Sequence, residues 1–142
     1  MKMEIIAVGN EAQYRNHFDT AYQYLKKETA ILQAEPSYRI LRQEPTALFT
    51  ALKESMQSHE VTLLLLPPEP AAAEALCKVL CNGLDRPPVV DAALERLVGT
   101  LAERSGRSLT YEERAAFATF PQGATVLRNT AGLVQGYVIS AR

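Results

Sequence analysis

Cysteine is scarce in this chain, two residues in 142, and neither sign of charge prevails: 15 Lys and Arg face 16 Asp and Glu, for a formal net charge of -1. Two thiols cannot build a disulfide scaffold, and in a reducing compartment they read as free. With no basic excess to condense on a phosphate backbone, nucleic-acid binding is not expected. Long apolar runs are also missing. The most apolar stretch, Leu63-Leu64-Leu65-Leu66, falls far short of the ~20 residues that a membrane span needs, so no membrane partnership is expected. Glu4 interrupts the start where a signal peptide would be apolar, and the Ile5-Ile6-Ala7-Val8 run is too short to replace it, so a cytoplasmic location is expected. What remains is 47% hydrophobic and 22% charged, the balance of a folded protein, and the length suits a single domain over 1–142.

Alternating elements run along that length. Met3-Glu4-Ile5-Ile6-Ala7-Val8 is β-rich and closed by Gly9, which predicts a buried strand. Asp19 is a good N-cap, and Tyr22, Leu25 and Leu32 recur at helical spacing until Pro36. Residues 37–42 alternate as a short strand. Pro45 and Thr46 open a helix whose stripe is Leu48, Phe49, Leu52 and Met56, ending near His59. Residues 61–66 read as a central strand buried on both faces, and 71–84 as a helix with Gly83 near its stop. Residues 85–88 read as a linker between elements, and Asp91 begins a further helix. Thr110-Tyr111-Glu112-Glu113 has the capping-box pattern, with Pro121 closing the helix it starts. Two short strand-like runs, 124–127 and 137–140, flank a glycine-containing loop. This order predicts an α/β three-layer α/β/α sandwich with a mostly parallel sheet, whose ligands would sit beyond the strands' carboxyl ends, after Val8, Leu66 and Leu127.

Cys77 and Cys81 are four apart in a predicted helix and share one face. Two thiolates supply half of a zinc site. Only His17 and His59 could complete it, without ligand-like spacing, so the pair reads as apolar core thiols and no metal site is expected. Tyr14, His17, Tyr22 and Tyr24 could stack on a base but read as core edge and surface. Arg104, Arg107 and Arg114 are interleaved with Glu103, Glu112 and Glu113 as on a solvated face, and Ser105 and Ser108 have no His-Asp arrangement to activate them.

Gly9-Asn10-Glu11, Asp19-Thr20 and Pro121-x-Gly123-Ala124-x-x-Leu127-x-Asn129-x-x-Gly132-x-x-x-Gly136 together resemble the molybdopterin-binding domain family, most closely the N-terminal domain of competence-damage inducible (CinA-type) proteins. The resemblance covers nearly the whole chain and implies the molybdopterin-binding-domain fold. It also implies that Gly9, Asn10, Glu11, Asp19, Thr20, Pro67, Pro68, Pro70, Asn129, Gly132 and Gly136 occupy ligand-binding positions. Several of these depart from the pattern. Asn10 replaces a Thr, Ala21 an Asn and Arg15 a Gly, while Gln43 and Phe117 stand where the family has Asp and Gln. The family's Thr-Gly-Gly-x-Gly-Pro-Thr turn and its two acids correspond here to Leu65-Leu66-Pro67-Pro68-Glu69-Pro70-Ala71, with Ala73 and Glu74. The family's C-terminal continuation and the deamidase domain of CinA-type proteins lie beyond what this sequence, ending at Arg142, contains.

A glycine-rich turn before a helix grips phosphate through converging backbone N–H groups and the helix dipole. Proline has no N–H, and Glu69 brings negative charge. Losing two charge-assisted hydrogen bonds at ~1.5 to 3 kcal/mol each lowers affinity at least about a hundredfold. A single carboxylate beside alanine is a poor Mg²⁺ site. The expectation is therefore a degenerate, non-catalytic domain with vestigial ligand positions, no molybdopterin or Mg²⁺ cofactor, and weak or no binding of small anions. Its partners would be a second copy or another protein. The alternative is a remodelled nucleotide-binding domain, or a metal-dependent pyrophosphatase acting on ADP-ribose-like substrates, with Glu11, Asp19, Glu69 and Glu74 as its metal ligands.

Overall fold

In the computed structural model, which describes residues 1–140, the chain divides into two units, Met1–Pro67 and Pro68–Arg142. The expectation attached to Arg142 lies outside the described residues.

The first unit is built on β1 (Met3–Val8), which is buried at every residue and takes a parallel partner on each side. The sheet order is β2-β1-β3, with β2 at Ser37–Leu41 and β3 at Val61–Leu65. An α/β class with a parallel sheet was expected and is found. The central strand, however, is β1. β3 lies at the edge of this sheet and is only half-buried along its length, so apolarity marked a strand without marking its rank. The one acid in β1 is not left alone: Glu4 accepts from Arg39 Nε at 3.2 Å and Nη2 at 3.0 Å, and from the Ser37 hydroxyl at 3.3 Å. Both partner residues lie on β2, so the pairing that closes the sheet also compensates the buried charge.

Two helices complete this unit. α1 spans Glu11–Thr29 and begins eight residues before the expected Asp19 cap. Asn10 is the actual cap, its carboxamide oxygen accepting from Gln13 N–H at 3.2 Å. Arg15 then joins Glu11 (3.1 Å) and Asp19 (3.8 Å) along one helix face, so the polar residues ahead of Asp19 favour helix through i,i+4 pairing. α1 also ends before Pro36, passing into a 3₁₀ turn at Ala30–Leu32. α2 (Pro45–Ser58) opens on proline as expected, but it buries Leu48, Ala51, Leu52 and Ser55, while Phe49 and Met56 lie exposed on its flank. Ser55 and Thr62 hydroxyls meet at 2.7 Å and tie α2 to β3.

The second unit holds α3 (Pro70–Leu84), β4 (Pro88–Val90), α4 (Ala92–Arg104), α5 (Tyr111–Phe117), β5 (Thr119–Pro121), β6 (Thr125–Leu127) and β7 (Gly136–Val138). β4 pairs with β5 and β6 with β7, both antiparallel. The expected linker at 85–88 thus runs into a strand, and α5 ends at Phe117 because residues 119–121 are needed to pair with β4. Gly83 lies inside α3. The stop is Asp85, left-handed at φ 52°, with its N–H on the Cys81 carbonyl. Two predicted helix starts are found as expected. Asp91 accepts from Leu94 N–H at 3.0 Å, and Thr110 and Glu113 exchange both capping-box bonds. Val98, Ala102, Phe117 and Leu133 form one core cluster; Leu94, Ala118 and Phe120 form another, flanked by Val126 and Tyr137. Arg114 crosses from α5 to Glu95 on α4 at 2.6 Å, running over Gly99, where a Cβ would come within 3.0 Å of its Cδ.

Candidate ligand-binding site

In the first unit, Gly9 leaves β1 with its N–H on the Leu41 carbonyl at 2.9 Å. A Cβ there would lie 3.2 Å from Phe18 Cζ and 3.4 Å from Pro67 Cγ, and both side chains are fully buried. Gly9 and Pro67 are therefore brought together, around the Phe18 ring. Their closeness is a packing requirement for glycine. Asn10 caps α1, Glu11 pairs with exposed Arg15, and the Thr20 hydroxyl donates to the Asn16 carbonyl of its own helix at 2.8 Å. Asp19 stands two turns into α1 and accepts from the Tyr38 hydroxyl at 3.0 Å. Burial, and then the bond to Asp19, push the Tyr38 phenol up to about 12, so it stays a donor. Its ring stacks on Tyr22 at 4.3 Å between centroids. Asp19 thus belongs to the α1–β2 packing, while Thr20 lies exposed on α1.

In the second unit, α3 begins with Pro70 as its first residue, after Glu69. Ala72 and Ala73 N–H both point at the Glu69 carbonyl, at 3.1 and 3.3 Å. The first turn therefore lacks one donor by chemistry and turns another inward, which does not make a phosphate cradle. Glu74 pairs with Lys78 at 2.9 Å on an exposed face. Among the described residues no group of three His, Cys, Asp or Glu is placed to hold a metal ion.

The late motif is a structural turn and hairpin. Gly123 adopts φ 88° in the turn that joins Pro121 to Ala124, whose N–H reaches the Pro121 carbonyl at 3.1 Å. Asn129 takes the Ala131 N–H on its side-chain oxygen (2.9 Å) and donates to the Val134 carbonyl (3.0 Å). Gly136 lies across from Leu127, where a Cβ would meet Leu127 Cβ at 3.3 Å, and a Gly132 Cβ would meet Asn129 Nδ2 at 3.4 Å. Asn129 and both glycines are accounted for by closing this loop. The residue missing from the sequence reading is Gln135, buried 95%, whose amide bonds the carbonyls of Asn129 and Gly132. Only its place in a loop of glycines could have signalled it.

Cys77 and Cys81 are both buried, as expected of core thiols, with their sulfurs 3.8 Å apart. Arg114, engaged with Glu95 and the Leu109 carbonyl, is not part of a phosphate clamp.

No protein-family model matches the chain, and no curated protein matches it. Among solved structures, the protein CinA of unknown function from Thermoplasma acidophilum superposes with a TM-score of 0.71, covering 99% of this chain and 83% of that one at 13% identity. The fold is CinA-like. That likeness agrees with the mixed α/β architecture and the parallel β2-β1-β3 sheet. No helix among the described residues is long and apolar enough to cross a membrane.

Proposed function

We propose that this CinA-like chain is a degenerate member of the molybdopterin-binding fold, a non-catalytic module that works through protein contacts, foremost with a second copy of itself. The observation that carries this reading is the start of α3, where Pro70 has no N–H and the Ala72 N–H turns to the Glu69 carbonyl. An anion arriving there meets a carboxylate and too few donors. Of the acids named for a hydrolase, Glu11 is engaged with Arg15, Asp19 with Tyr38 and Glu74 with Lys78.

Support for contact comes from the β6–β7 hairpin. Val126 and Tyr137 face the core cluster, so alternation turns Leu127 and Val138 to the opposite face, and they are 54% and 58% exposed. Calorimetric titration with molybdopterin and with ADP-ribose, with and without Mg²⁺, tests the first half of the proposal: no binding at micromolar ligand is expected, and micromolar affinity for either defeats it. A turnover assay with Mn²⁺ or Mg²⁺ should give no product from ADP-ribose. Sedimentation velocity tests the second half, with self-association expected that Leu127→Glu reverses.

A further inference from the structure

The amino-terminal ends of the three parallel strands, opposite the end that Gly9 closes, frame an open cavity of about 650 Å³. Lys2 stands just ahead of β1, Glu35 and Ser37 at the start of β2, and His59 just ahead of β3. The volume is that of a small-molecule site, and no residue of the Gly9 and Pro67 region lines it. Two observations mark it out. Lys2 and Glu35 bring opposite charges to one cavity, yet neither side chain has an ion-pair or hydrogen-bond partner among the described residues. Gln33, which also lines it, is left-handed at φ 53°, a conformation that glycine or asparagine holds with less strain. We propose that this cavity binds a small zwitterion with an apolar side chain, the chemistry of a free apolar amino acid or its dipeptide, with Glu35 taking the ammonium and Lys2 the carboxylate.

The chemistry of the walls sets that of the ligand. A plain anion would meet repulsion from Glu35 and a plain cation repulsion from Lys2, whereas a molecule with both charges satisfies both residues at once. Met3 and Ala34 are buried and give the cavity apolar lining, against which a hydrocarbon side chain leaves water. The Gln33 carboxamide offers N–H donors to the carboxylate that Lys2 attracts. Its backbone N–H is tied to the Ala30 carbonyl at 3.0 Å, so the strained turn is fixed in place, as at sites where strain serves binding. On the β3 side, His59 Nδ1 donates to the Ser55 carbonyl at 3.2 Å, which holds the ring as a wall. The Ser37 hydroxyl is already spent on Glu4 at 3.3 Å and leaves Lys2 and Glu35 to the ligand.

The test is calorimetric titration of the full chain with L-leucine and with the dipeptide Leu-Leu, whose relative affinities decide which length the cavity takes. N-acetyl-L-leucine, which lacks the ammonium, and L-leucinamide, which lacks the carboxylate, should each bind at least about tenfold more weakly than L-leucine. Glu35→Gln should abolish the discrimination against the acetylated compound, and Lys2→Gln that against the amide. Both residues are exposed, so neither change threatens the fold. Gln33→Gly should raise the urea midpoint by relieving the left-handed strain and lower the affinity by removing the carboxamide. No saturable binding of either zwitterion at millimolar concentration overturns the proposal, as does equal binding of the analogues or unchanged discrimination in the Lys2 and Glu35 variants. These outcomes are independent of the anion titrations, which probe the start of α3, and of self-association through the β6–β7 hairpin.

Discussion

Asn129 and Gln135 hold each other across the loop between β6 and β7: the Asn129 N–H donates to the Gln135 side-chain oxygen at 2.7 Å, and the Gln135 amide returns to the Asn129 carbonyl at 2.9 Å. This exchange imitates one rung of a strand ladder with a side chain. It explains why a loop of small residues needs a buried carboxamide.

Gln135→Ala should therefore destabilise the fold by about 1–3 kcal/mol, since it strands an N–H and several carbonyls away from water. Asn129→Ala should cost less, because one of its partners, Ala131, is exposed and water can replace the lost acceptor. Urea denaturation of the two variants gives the order directly. The reverse order would sink the assignment.

Gly9→Ala is expected to cost about 1–3 kcal/mol through overpacking. The new methyl group would stand 3.2 Å from the fully buried Phe18 ring, tighter than an ordinary contact, with Pro67 closing the other side at 3.4 Å. The same denaturation experiment reads it, with Ala7→Gly in β1 as a comparison that removes volume instead of adding it.

Tyr38 makes stability depend on alkaline pH. Its phenol is raised from the usual 10 to about 12 in the folded chain, so the folded state holds the proton more tightly than the unfolded one. The corresponding stability is fully present below pH 10 and is lost as pH rises from 10 through 12. Tyr38→Phe should flatten that part of the profile. Phenolate absorbance near 295 nm should show one late-titrating tyrosine fewer in the variant.

If missing donors are what disarm the start of α3, restoring them should rearm it. Pro68→Gly combined with Pro70→Ala returns two N–H groups, and affinity for ADP-ribose should rise at least about tenfold over the parent chain. Calorimetry checks this. No gain would mean that something other than proline keeps anions out.

Local chemistry was the legible part of this fold. Asp91 and the Thr110–Glu113 box announce helix starts because capping satisfies backbone groups within three residues. The α1 start was harder, since Asn10 and Asp19 are both competent caps and the choice rests on pairing along Glu11, Arg15 and Asp19. The strand-like runs at 124–127 and 137–140 correspond to β6 and β7, whereas the three-residue β4 and β5 are too short for alternation to declare itself and pair across a long stretch of chain. The candidate site divides in the same way. Prolines in 67–70 speak for themselves, because a missing N–H is a property of the residue. The roles of Asp19, Asn129 and Gly136 depend on Tyr38, Val134 and Leu127, contacts that only the folded chain reveals.

The bare Cα of Gly99 opens a channel through which the Arg114 stem reaches Glu95. A hydrogen atom there thus governs an ionic clasp in which it takes no part. A Cβ at position 99 would stand 3.0 Å from Arg114 Cδ, so even alanine at the most innocuous-looking site on α4 asks the arginine stem to shift by a few tenths of an ångström while it holds a carboxylate that is 13% exposed.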